Sequence, residues 1–168
     1  MAAAGPVVLG LLIAGGSGPR VSRRALRLRM AIGGLALLGL LVAAYLALFE
    51  LQITSSLACP LGGECAEVNR SDYVNMLGIP LGLVGVIGYA TILAVTLARI
   101  TRQRLWGIPI GLIIVALAGS GVAFSLFLTY IEVFVLESLC TWCVISALLM
   151  AGILGVAIAA WLAERAPE

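Results

Sequence analysis

Four long stretches of the chain carry no charge: Met30 to Phe49, Leu77 to Ala98, Leu105 to Ile131 and Ser138 to Ala163. Each exceeds the ~18 apolar residues that mark a candidate membrane-spanning helix. A bilayer interior offers no water to unpaired N–H and C=O groups, so each run is predicted to be helical. The polar positions lie between the runs and divide by sign. Arg20, Arg23, Arg24, Arg27 and Arg29 precede the first run, and Arg99, Arg102 and Arg104 separate the second from the third. Arginine of this density marks the cytoplasmic side. The other two connections carry Glu64, Glu67 and Asp72 against Arg70, and Glu132 with Glu137, and so face the opposite compartment. The pattern predicts an all-α polytopic membrane protein, a four-transmembrane-helix bundle over residues 30–163. Both chain ends are then cytoplasmic, with residues 1–29 a flexible basic extension and residues 164–168 a short tail.

Finer signals refine this outline. Tyr45 and Phe49 close the first span, where aromatic rings favour the membrane interface; Trp106, Tyr130 and Trp161 read the same way. Pro80 suits the first turn of the second span, where its missing N–H would be unpaired anyway. Gly78, Gly82, Gly85 and Gly88 recur at helical spacing and form a small-residue stripe. Close helix packing is the first reading of that stripe, and it is compatible with a groove that admits a flat ring. Val68, Val74 and Leu77, interspersed with Asn69, Arg70, Asp72 and Asn75, predict a short amphipathic helix that lies on the membrane surface as a lid. Ser138 is a candidate N-cap for the fourth span. The apolar stretch Val7 to Ala14 is too short to cross a bilayer, and no basic residue precedes it as in a signal peptide.

Composition narrows the chemistry. Of 168 residues, 62% are hydrophobic and 11% charged, with no histidine at all. Histidine-ligated heme, a histidine-bound zinc hydrolase and a serine–histidine catalyst are thereby excluded. The net charge of +2 reflects the arginine clusters and carries no argument for nucleic acid.

What remains is sulfur. The four cysteines form two pairs, Cys59 with Cys65 and Cys140 with Cys143, and both fall in connections on the non-cytoplasmic side, where disulfides persist. Pro60, Gly62 and Gly63 between the first two suit a turn rather than a rigid helix. Cys140 and Cys143 share one face at the head of the fourth helix, where unpaired N–H groups and the helix dipole favour a thiolate. Three readings are open: a redox relay, a site of four thiolates for a metal, and disulfides that merely staple a structural or binding protein. Two dithiols in a membrane protein fit a relay of thiol–disulfide exchange best, and the oxidising compartment competes with metal binding. A relay needs a terminal acceptor, and with no heme ligand or nucleotide motif a lipid-soluble quinone fits. Electrons would run from substrate thiols to the loop pair, then to the helix pair, then to quinone.

The order Cys59-x5-Cys65, Ser71, Gly78-Ile79-Pro80 and Cys140-x-x-Cys143 resembles the vitamin K epoxide reductase family, most of all its bacterial members, over about Met30 to Trp161. The other four-helix quinone reductases, of the DsbB type, carry their two cysteine pairs in the reverse order. The resemblance implies that Cys143 faces the quinone, that Cys140 exchanges with Cys65, and that Cys59 takes electrons from a thioredoxin-like (DsbA-like) partner. It also implies that the Ser71 hydroxyl donates to a quinone carbonyl, the quinone being of menaquinone, ubiquinone or vitamin K type. Vertebrate members have a tyrosine where this chain has Ala147, so inhibitor binding of the vertebrate kind is not implied; reductive turnover of vitamin K epoxide of the vertebrate type stays a rival reading, one that requires an external reductant and that nothing else in the sequence supports. Many bacterial members continue into a fused thioredoxin-like domain, whereas this sequence ends at Glu168, so the partner is expected to be separate. The expected outcome is disulfide formation in exported proteins at a bacterial inner membrane, with the active site extracytoplasmic.

Overall fold

The computed structural model describes residues 23–51, 53, 58–59, 65–70, 80–101, 104–105 and 108–165. Its elements are α1 (Arg23–Glu50), α2 (Cys65–Arg70), α3 (Leu81–Thr101), β1 (Arg104–Leu105), β2 (Ile108–Pro109), α4 (Ile110–Phe134) and α5 (Thr141–Arg165). Four of them, α1, α3, α4 and α5, are long and apolar enough to cross a membrane. They form an up-and-down bundle in which α1 packs on α3 and α5, and α4 packs closely on α5 and more sparsely on α3. Large side chains such as Leu38, Leu41, Leu126, Phe127 and Leu148 project outward from these helices. Helices that are apolar all round are expected where the surroundings are lipid.

The spans begin and end differently from the charge-free runs. Helix α1 starts at Arg23, so Arg23, Arg24, Arg27 and Arg29 belong to the helix rather than to a flexible extension. Arginine is a good helix former, and nothing between Arg23 and Met30 breaks the helix. Residues 1–22 lie outside the described residues. Pro80 precedes α3, and its carbonyl accepts the N–H groups of Leu83 and Val84, so it caps the helix instead of occupying its first turn. The third span starts at Ile110, because Leu105 and Ile108 pair across a short antiparallel ribbon between α3 and α4. Pro109 fixes this boundary: it is extended, at φ −64° and ψ 127°, and the residue before a proline is held out of the helical region. Trp106 lies outside the described residues, as does the lid segment beyond Arg70; only α2 shows helix there.

Each helix points one stripe inward, and the stripes change character along the bundle. Toward the arginine end they carry close-packed residues: Ile32 and Ala36 from α1, Ile92 from α3, Ile110, Ile114 and Ala118 from α4, and Ile153 and Ala157 from α5. Toward the other end the same stripes continue as Ala43, Gly82, Gly85, Gly121, Ser125, Cys143 and Ser146, which leave a cavity. Tyr89 and Met150 sit at the change. The Tyr89 ring is fully buried against Gly39, where a side chain would overlap it, and its hydroxyl hydrogen-bonds Ser146 O at 2.8 Å and Ser146 Oγ at 3.0 Å. At the arginine end, Arg99 lies in a slot opened by Gly111 and pairs with Glu164, which Arg29 also approaches at 3.4 Å. That pairing gathers the start of α1 and the ends of α3 and α5, so the cysteines all lie at the opposite end.

The glycine stripe serves both roles read from its spacing. A Cβ on Gly82 would lie 2.5 Å from Ala47 N, and one on Gly85 would lie 3.1 Å from Ala43 Cβ, so both let α3 close on α1. Gly88 has nothing within 4 Å and opens onto the cavity. Gly78 is outside the described residues.

Gly39→Val drives a branched side chain into the Tyr89 ring and is expected to destabilise the bundle by about 1–3 kcal/mol. Thermal unfolding in detergent measures this. Gly34→Ala, where the added methyl meets nothing within 4 Å, should leave the midpoint unchanged or slightly raised.

Candidate functional site

The connection from α4 to α5 presents the inner cysteine pair. Glu137 turns the chain with φ 50°, and Ser138 N–H donates to Glu132 O at 3.1 Å, so residues 135–140 fold back over the end of α4. Helix α5 then begins at Thr141. Its cap is Cys140 rather than the expected Ser138: Cys140 O accepts the Val144 N–H at 3.1 Å, and Cys140 Sγ accepts the Cys143 N–H at 3.3 Å. The sulfur takes the position that a serine or aspartate oxygen takes at other helix starts. Cys-x-x-Cys spacing explains this, since a first cysteine at the cap places the second at the N3 amide that a cap accepts. The Cys140 thiol is thereby shifted below its ordinary pKa, first by hydrogen bonding from the Cys143 side chain and then by the N–H groups of Cys143 and Trp142. Burial and the Glu132 charge oppose the shift and are outweighed.

Cys59 and Cys65 are joined in a disulfide with their Cα atoms 5.9 Å apart, while Cys140 and Cys143 are not disulfide-bonded. Cys65 heads α2 and is almost fully buried, and with Val68 it packs against fully buried Cys140. Cys59, half-buried, flanks this cluster. The chain beside Cys59 is held from two sides: Trp142 Nε1–H donates to Ala58 O at 2.7 Å, and Ala58 N–H donates to the Tyr45 hydroxyl at 3.0 Å. The two rings meet edge-on at 5.4 Å. Tyr45, read as an interfacial anchor, and Trp142, a variable position of the Cys-x-x-Cys pair, thus dock the loop pair on the helix pair.

Cys143 has a different neighbourhood. Its side chain is part of the wall of a cavity of about 520 Å³ enclosed by α1, α3, α4 and α5, which Cys140 does not line. The wall is mainly apolar, with Leu46, Val84, Ile87, Phe124 and Met150, and one side is the glycine face of α3. Its polar members include Tyr89, Ser146, Thr129, Glu50 and Glu132. Glu50 Oε2 accepts the Gly82 N–H at 2.7 Å at the start of α3, and its Oε1 has no hydrogen-bond partner among the described residues. Glu132 Oε2 accepts the Cys140 N–H at 3.1 Å. Val84, Ile87 and Phe124 are at once cavity wall and lipid-facing surface, so the cavity reaches the outside of the bundle between α3 and α4, the pair that packs most loosely.

Of the residues singled out in the sequence, the structure gathers Cys59, Cys65 and Cys140 into one cluster and puts Cys143 at its border with the cavity. Ser71 lies outside the described residues. Ala147 is half-buried and is absent from the cavity wall; the adjacent Ser146 and the Tyr89 phenol across from it supply polar groups there instead. Glu50, Tyr89, Glu132 and Ser146 were not singled out. The signal for the two acids was present, because each is a carboxylate at the very end of an apolar run, but periodicity alone does not say that they turn inward.

The chain crosses the membrane several times and carries its cysteine pairs together at one end of the bundle. Residues 30–158, well over half of the sequence, match the model of the vitamin K epoxide reductase family. The chain therefore belongs to the vitamin K epoxide reductase family, membrane-embedded thiol oxidoreductases that in general use quinones.

Proposed function

We propose that this protein is a thiol:quinone oxidoreductase that takes electrons from a separate thioredoxin-like (DsbA-like) protein through Cys59–Cys65 and Cys140–Cys143 to a membrane quinone, and so supports disulfide formation in exported proteins. The observation that carries the reading is the division of labour in the inner pair: Cys140 is packed on Cys65, and Cys143 faces a cavity open toward lipid.

Those contacts support the following sequence of exchanges. A partner thiolate attacks Cys59, the more accessible sulfur, and releases Cys65 as a thiolate. Cys65, already against Cys140, attacks it when the inner pair is oxidised and frees Cys143 at the cavity wall. The partner's second thiolate then attacks its own sulfur in the mixed disulfide, so that the partner leaves oxidised and Cys59 is freed; Cys59 attacks Cys65 of the Cys65–Cys140 bond, regenerating the loop disulfide and leaving the inner pair as the dithiol. Every step is attack of a thiolate on a disulfide sulfur. The cap position of Cys140 makes it a good leaving group in the last of them, since its thiolate is the stabilised one.

A quinone supplies a two-electron, two-proton acceptor for that dithiol. The cavity suits one: its volume lies within the ~300–1,000 Å³ usual for small-molecule sites, its walls are mainly apolar, and Gly88 leaves room beside α3 for a flat ring. Cys143, Tyr89 and Ser146 would hold the head group from one side, and Ser71 is proposed as a further hydroxyl donor by resemblance to the family. The opening between α3 and α4 favours a ligand that arrives from the bilayer. Arginine at the far end of the bundle supports a cytoplasmic location for that end and an extracytoplasmic one for the cysteines, at a bacterial inner membrane.

Quinone reduction by the purified protein, with a reduced thioredoxin-like donor and each single cysteine variant, tests the reading. Turnover should require all four cysteines; turnover in Cys143→Ala would overturn the role given to that residue. In Cys143→Ala, Cys140 has no internal partner, and a Cys65–Cys140 disulfide should accumulate, identified by mass spectrometry of the linked peptides. If the four cysteines only stapled the fold, the variants would unfold more readily and no quinone would be reduced by wild type. Ser71→Ala should raise the quinone KM about fivefold, the effect of losing one neutral hydrogen bond of ~1 kcal/mol, while leaving exchange with the donor unchanged.

A further inference from the structure

Glu132 is a carboxylate with 4% exposure near the end of a helix that carries no other charge, a costly place for an ionisable group. Its contacts converge on the cysteine pair. Oε2 accepts the Cys140 N–H at 3.1 Å, the carboxyl group interacts with the Cys143 side chain, and both Glu132 and Cys143 belong to the cavity wall. Accepting one backbone N–H does not require an acid, since a neutral amide oxygen would serve. An acid is required where a proton has to be taken. Oxidation of a dithiol to a disulfide releases two protons, and the Cys143 proton emerges inside a buried, largely apolar wall.

We propose that Glu132 is the proton acceptor for the Cys143 thiol, a catalytic residue that takes the Sγ proton as that sulfur is oxidised and passes it into the cavity. The inference rests on the quinone reading above for its final acceptor. In the overall step the S–H bond of Cys143 breaks, the Cys140–Cys143 S–S bond forms, and the two electrons lost by the sulfurs pass to the quinone. One of the two protons that complete the hydroquinone comes from Cys143 by way of Glu132. The other is taken from solvent and replaces the proton that Cys140 gave up in becoming the thiolate favoured at the helix cap. The other titratable groups facing Cys143 among the described residues are Cys140 at the start of α5, Glu50 at the end of α1 and Tyr89 on α3, and no arginine lines the cavity. Of the two carboxylates, Glu50 is engaged with the start of α3 through Gly82, and Glu132 is the one bonded to the Cys140 N–H and interacting with the Cys143 side chain.

The test needs no quinone. Reaction of Cys143 with a small aromatic disulfide is followed in detergent as a function of pH, for wild type, Glu132→Gln and Glu132→Asp, with helix content and the Cys59–Cys65 bond checked in each. With Glu132 as base, the wild-type rate holds a plateau on the acid side that follows carboxylate ionisation. Glu132→Gln keeps an oxygen for the Cys140 N–H but should lower that plateau roughly tenfold or more. Glu132→Asp, which retains the charge on a shorter arm, should fall between, and it carries the comparison if the glutamine variant does not fold. An unchanged or faster reaction in Glu132→Gln overturns the proposal, faster being what removal of a negative charge alone would produce. Quinone turnover measured alongside separates the two claims. Wild-type protein that reduces no quinone fails the functional reading, whereas normal quinone turnover in Glu132→Gln fails the role of Glu132.

Discussion

The contact of the Tyr89 ring with the backbone of Gly39 divides this bundle in two. A glycine on α1 lets α3 bring a full phenol into the centre, and the Ser146 hydrogen bonds fix that ring to α5. On the arginine side of the ring, branched side chains interdigitate and fill the interior. On the cysteine side, glycines and serines line the interior without filling it, and the cavity is the result. Helices that pack tightly at one end can therefore enclose a space at the other without any helix being broken, which the bilayer would penalise.

Among the described residues irregular chain is confined to the ends for the same reason, and Cys65 and Cys140 occupy the border between irregular and helical chain. Cys140 is the cap of α5, so the backbone that starts the helix also stabilises its thiolate. The next residues divide outward and inward roles between them. Trp142 reaches out to hold the strand beside Cys59, and Cys143 faces the cavity. A single helical turn thereby links the loop disulfide to a compartment within the bundle, and the Cys-x-x-Cys spacing is what makes one turn sufficient.

Charge is handled differently at the two ends. Arg99 and Glu164 neutralise each other where α3 and α5 finish, a pairing that ties helix ends together. Glu50 and Glu132 at the cysteine end accept backbone N–H groups across helix junctions instead, with no basic partner on the cavity wall among the described residues. These acids position the starts of α3 and α5 while leaving carboxylate oxygens directed at the site.

Much of the architecture was legible in the order of residues, because membrane insertion depends on quantities that are local. Run length, absence of charge and arginine placement set the number of spans, and the spacing of four cysteines set the chemical class and family. Helix boundaries were displaced where local backbone rules override hydropathy, as at Pro109 and Cys140. Other features depend on distant parts of the chain meeting. That Cys140 packs on Cys65 while Cys143 stands between that cluster and the cavity, that the glycine stripe closes on α1 at Gly82 and opens at Gly88, and that Glu132 turns toward the cysteine pair are all consequences of how four helices are rotated against one another. The sequence by itself determined that two cysteine pairs lie at one end of a four-helix bundle, whereas the tertiary structure alone decided which sulfur meets which wall, because helix rotation is set by packing between residues far apart in the chain.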